Sequence, residues 1–67
     1  MSPNEMLRAL GYTTSPTGIT TFQRDYNLLG SSPVLVTGEL DEDTQGALAF
    51  AYGARAVFTE IRDRKRA

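Results

Sequence analysis

One stretch, Val36–Leu48, fixes more of this chain's structure than any other: it reads as a tight turn, an apolar anchor and a capped helix start in immediate succession. Gly38 gives the turn access to positive φ, which a side chain would resist. Leu40 sits just outside the helix, placed to fold inward. Asp41 is the natural N-cap, since its carboxylate can accept from the free amide of Thr44 three residues on. Glu42 and Asp43 then put negative charge on the first turn, where the helix dipole favours it. A helix therefore starts at Glu42.

Two other starts carry the same kind of signal. Ser2-Pro3-Asn4-Glu5 is a capping box with proline at the first helical position. It opens a short helix over about residues 3–10, with Met6, Leu7 and Leu10 on one face and Gly11 as its stop. Ser15-Pro16 repeats the start, and Ile19, Phe22, Tyr26 and Leu29 follow at spacings of three, four and three. Gly18 weakens the opening turns of that helix unless close contact with a neighbouring helix requires it. Gly30-Ser31-Ser32-Pro33 ends it. Val34-Leu35-Val36 is too brief for a sheet and reads as an extended segment over the helices, pairing near Tyr12.

The third helix turns Ala47, Leu48, Ala51 and Tyr52 inward, with Phe50 on an adjoining face. Gly53 either caps it or is tolerated inside one long helix. Beyond it Ala54, Val57, Phe58 and Ile61 continue the stripe begun at Phe50, and helix extends to about Lys65 with basic residues at its end. That stripe packs on the domain or docks to another molecule. A weak repeat, Ser15-x-x-Gly18-Ile19-x-x-Phe22 against Thr44-x-x-Ala47-Leu48-x-x-Ala51, has an offset of 29 residues and suggests two related helical halves.

Composition narrows the function. Sixty-seven residues make one small domain or a piece of a larger protein. A chain of this length buries only about 60% of its unfolded surface. With no cysteine, neither a disulfide nor a thiolate metal site can reinforce it. With no histidine either, there is no imidazole base and no ordinary zinc site, so no cofactor is expected and the chain reads as non-catalytic. Asp41 to Gly46 mimics the start of a calcium loop, but the twelfth position is Tyr52 rather than a bidentate glutamate. The net charge of −1 gives no general attraction to nucleic acid. The basic run Arg62-Asp63-Arg64-Lys65-Arg66 is broken by an acid and has no interleaved aromatic for base stacking. No apolar run approaches the ~18 residues of a membrane span, and the N-terminus has no basic-then-apolar export signal.

Leu7-Arg8-Ala9-Leu10-Gly11-Tyr12, Ile19–Leu29 with its Phe22-Gln23 pair, and Val36–Thr44 with Thr37-Gly38-Glu39-Leu40-Asp41-x-x-Thr44 together resemble the peptidoglycan-binding domain of the three-helix type. That family occurs in cell-wall hydrolases and, as a related pro-segment, in matrix metalloproteinases. The resemblance covers about residues 6–52. It implies an all-α fold, a small three-helix orthogonal bundle over 1–53 with an added C-terminal helical extension over 54–67. It also implies a non-catalytic module that anchors a larger assembly or partner hydrolase to peptidoglycan, in a cell-envelope, extracellular or virion setting. The chain departs from the family in three places. Only Tyr12-Thr13-Thr14 stands where a first Asp-Gly turn is usual, the loop after Gly30 is longer, and the segment after Gly53 is extra.

Tyr12, Gln23, Tyr26 and Tyr52 are the residues suited to a sugar or stem-peptide surface, since tyrosine offers an apolar face with a polar tip and glutamine both donor and acceptor. Phe50, Val57, Phe58 and Ile61 are the residues suited to docking a protein partner. That alternative makes the same fold a structural subunit of a phage particle or secretion machine.

Overall fold

The first three helices begin where a side chain can satisfy their free amides. The computed structural model describes residues 1–30 and 32–66 and is all-α, with helices α1 (Pro3–Ala9), α2 (Pro16–Asn27), α3 (Glu42–Gly53) and α4 (Arg55–Arg66). Ser31 of the anticipated helix stop and Ala67 of the anticipated extension lie outside the described residues. Ser2 and Glu5 form a reciprocal capping box at α1. Ser15 caps α2 by accepting from the Gly18 amide, and Asp41 caps α3 by accepting from the Thr44 amide at 2.9 Å. Gly11, Gly30 and Gly38 all have positive φ, as the stops and the turn require. The N-cap of α2 is Ser15 and that of α3 is Asp41, so Ser15 and Thr44 are not equivalent: the repeated positions Gly18, Ile19 and Phe22 and Ala47, Leu48 and Ala51 are all buried, but three residues out of step relative to their helix starts.

α1 packs against α2 and α3, and α2 also packs on α3. The core between them is Leu7, Leu10, Tyr12, Ile19, Phe22, Tyr26, Ala47, Leu48 and Ala51, closed by Phe58 from α4. Phe22 is at its centre, fully buried, with the rings of Tyr12, Tyr26 and Phe58 within 5.6, 5.8 and 5.9 Å of its own. Such aromatic contacts add to the burial of area alone.

Three local expectations are corrected. The break between α3 and α4 falls at Ala54, whose ψ of 38° leaves the helical region, while Gly53 remains helical. The closest approach to Gly18 is by a loop. A Cβ there would collide with the Thr13 carbonyl and hydroxyl, so the glycine lets the loop after Tyr12 close over α2. Val34 does not pair near Tyr12 either. Its amide donates to Asn27 Oδ1 at 2.8 Å and its carbonyl accepts from Asn27 Nδ2 at 2.9 Å. Asn27 thus supplies, from a helix, the donor and acceptor a neighbouring strand would offer. Only Val34 of that apolar run turns inward, while Leu35 and Val36 are exposed.

Candidate functional site

The residues chosen for a ligand surface separate sharply once placed. Gln23 is fully buried, and its amide is engaged entirely within the chain. Its Oε1 accepts from the backbone amides of Thr37 and Gly38, both at 2.9 Å. Its Nε2 donates to Thr44 Oγ1 at 2.8 Å and also faces Thr37 Oγ1 and the Glu39 carbonyl at 3.1 and 3.3 Å. Every site a glutamine amide possesses is taken. The Thr37-Gly38 turn, the start of α3 and the middle of α2 are therefore bound through one side chain. Its position was the available clue, since it stands four residues after Ile19 and three before Tyr26, on the buried stripe of α2.

Tyr12 and Tyr26 are core residues, each only 8% exposed. The Tyr12 hydroxyl donates to Asp25 Oδ2 at 2.6 Å. Burial, then the hydrogen bond to Asp25, push that hydroxyl well above the usual tyrosine range. Asp25 is itself buried and pairs with Arg66, whose Nε lies 3.3 Å from Oδ1. Arg62 lies over the rings of Tyr12 and Phe58 and donates to the Tyr12 oxygen at 3.3 Å. Asp25 did not stand out in the sequence, and Arg62 and Arg66 stood out only as members of the basic run at the C-terminal end. Their signal was the spacing of Arg62 and Arg66 from Phe58, one and two helical turns along the same face. Tyr52 alone of the four ligand candidates is half-buried rather than buried, with Arg55 stacked 4.7 Å above its ring.

The docking stripe fares differently. Phe50, Val57, Phe58 and Ile61 do converge, with Leu29 and Ala54, on one apolar groove of about 290 Å³ at the junction of α3 and α4. Phe58 cannot be a contact residue of the kind expected. It is 2% exposed and belongs to the core, because it lies about 100° around the helix from Val57. Phe50 and Val57 are 62% and 57% exposed, and Ile61 is half-buried. Among the described residues, no three acidic, histidine or cysteine side chains come together as a metal would need, and no helix is long and apolar enough to cross a membrane. Comparison with family models, curated proteins and solved structures gives no match to this chain.

Proposed function

We propose that this chain is a non-catalytic wall-binding module of the peptidoglycan-binding, three-helix orthogonal type, anchoring or targeting a larger assembly or a partner hydrolase. The observation that supports this reading is the bonding around Gln23. The residues that carry the sequence resemblance, the Phe22-Gln23 pair, the Thr37-Gly38 turn, Asp41 and Thr44, make one hydrogen-bonded unit rather than a scatter of coincidences. Its ligand surface centres on Tyr52, which is half-buried, with Arg55 stacked on its ring. Recognition by so shallow a surface is weak alone and gains from multivalency. Co-sedimentation with insoluble sacculi tests the reading. Loss of the chain from the supernatant is the expected result, and a chain that stays in solution at high concentration overturns it.

The groove favours a second reading, in which the same scaffold is a structural docking subunit. Two large apolar side chains, Phe50 and Val57, stand exposed around it, as an interaction surface requires.

A further inference from the structure

Two surface stripes leave the helix break in opposite directions, and each is the reverse complement of the other. On α4, Val57, Ile61 and Arg64 stand at i, i+4 and i+7, with Lys65 beside Arg64. On α3, Phe50, Gly46 and Asp43 stand at i, i−4 and i−7, with Glu42 beside Asp43. Residues so spaced share one helix face. Both stripes therefore run about 10.5 Å from an apolar end to a charged end. One ends in carboxylates and the other in cations. Where α4 presents the bulk of Ile61, α3 presents Gly46, which is exposed and has open space where a Cβ would stand.

We infer that the groove is the contact surface of a two-fold dimer of this chain, with α3 of one copy lying antiparallel on α4 of the second. This deepens the docking reading by naming the chain as its own partner. In that register Phe50 sits beside Val57 of the second copy, Gly46 receives its Ile61, Asp43 meets its Arg64 and Glu42 its Lys65. Every pair is matched by its reciprocal, as an isologous interface demands. The axis crosses the Gly53–Ala54 break, midway between Phe50 and Val57. A two-fold axis lying in the interface exchanges the α3 and α4 arms whatever angle they make, so neither copy changes shape. The antiparallel arrangement also sets the N-terminal end of one helix dipole against the C-terminal end of the other.

The competing ties are weak. Among the described residues Arg64 pairs with Glu60, and the two side chains are 72% and 66% exposed. A standard interface takes about 800 Å² from each partner, and the whole chain exposes 4098 Å². The few residues the two stripes supply are well under the roughly 20–30 a side of a standard interface, which makes the dimer weak, reversible and sensitive to salt.

Sedimentation equilibrium of the full chain from micromolar to millimolar concentration is the test. The mass rises from 7.3 kDa toward twice that value, and added salt opposes the rise. Val57→Asp, at an exposed position, keeps its helical circular dichroism and stays monomeric. Asp43→Lys and Arg64→Glu each weaken association by about tenfold or more, and the double exchange restores it, because like charges opposed across an interface are strongly unfavourable. A wild-type chain that stays monomeric throughout overturns the inference and leaves the groove to a different protein. A dimer indifferent to Val57→Asp, or not rescued by the double exchange, overturns it equally. Sacculus binding is read separately, since Val57→Asp leaves Tyr52 in place.

Discussion

Arg62 Nη1 donates to the Leu10 carbonyl at 2.8 Å, joining positions 52 residues apart. Leu10 is the C-cap of α1, so its carbonyl is one that the helix itself leaves without a partner. The cation also faces the negative end of the α1 dipole. Arg62 is only 14% exposed, and its neighbours Tyr12 and Phe58 keep water from replacing it. Hydrogen bonds to charged groups contribute about 1.5–3 kcal/mol, so Arg62→Met is expected to lower unfolding stability by about that amount. Arg62→Lys recovers part of the loss at best, having no planar guanidinium to lie over the Tyr12 and Phe58 rings. Urea titration of the three proteins measures this.

Tyr12 sets an alkaline limit. Its folded pKa lies above its unfolded value, so the folded state holds a proton that the unfolded state releases. The linked stabilisation is complete below the ordinary tyrosine value of about 10 and is lost as pH rises through the folded one. Melting temperature should fall above about pH 10. In Tyr12→Phe the neutral-pH stability is lower, but the alkaline decline is shallower. Asp41 acts at the other end. Its hydrogen bonds from Thr44 hold its carboxyl below the usual range. Its contribution is present above about pH 4 and is lost as pH falls through the lowered value.

Two helix-interior glycines should respond oppositely to alanine. Gly46 has open space around a built Cβ and ordinary helical φ, so Gly46→Ala stabilises the monomer by roughly 0.5–1 kcal/mol. For a domain of this size that raises the melting temperature by several degrees. Gly18→Ala drives a methyl group into the Thr13 backbone and destabilises. Thermal denaturation at low protein concentration compares them without interference from association.

Phe50 and Phe58 are the same residue type on either side of the α3–α4 break and should behave as opposites. Phe58→Ala empties the core beside Phe22 and is expected to cost about 3–5 kcal/mol, a large share of what a chain this short can have. Phe50→Ala should change stability by no more than about 0.5 kcal/mol. Chemical denaturation of both separates the core ring from the surface one.

The local grammar of this chain was readable because each signal acts over three or four residues. Ser2, Ser15 and Asp41 cap helices, and Gly11, Gly30 and Gly38 turn the chain at positive φ. The core stripe of α2 followed from the spacing of Ile19, Phe22 and Tyr26. What periodicity could not deliver was the destination of polar groups. Gln23 has the right chemistry for a sugar, and although its place on the α2 stripe turns it inward, only the approach of the Thr37-Gly38 turn decides what its amide meets there. The division of α4 had the same origin. Phe58, Arg62 and Arg66 face the bundle while Val57, Ile61 and Arg64 border the other side, and a one-residue shift in where the helix resumes exchanges the two sets. Of the proposed sites, the groove was visible as a stripe and the internal role of Asp25 was not.

Gln23 has one more consequence, for a segment that belongs to no helix. The amides of Thr37 and Gly38 lie in an irregular turn, where hydrogens usually trade with solvent almost as fast as in an unfolded chain. Both are bonded to the amide oxygen of a fully buried side chain that α2 projects onto the start of α3. Deuterium should reach them only through global opening, at the rate of the innermost helical amides. By its dihedral angles this turn is a loop, and by its exchange it should count as core.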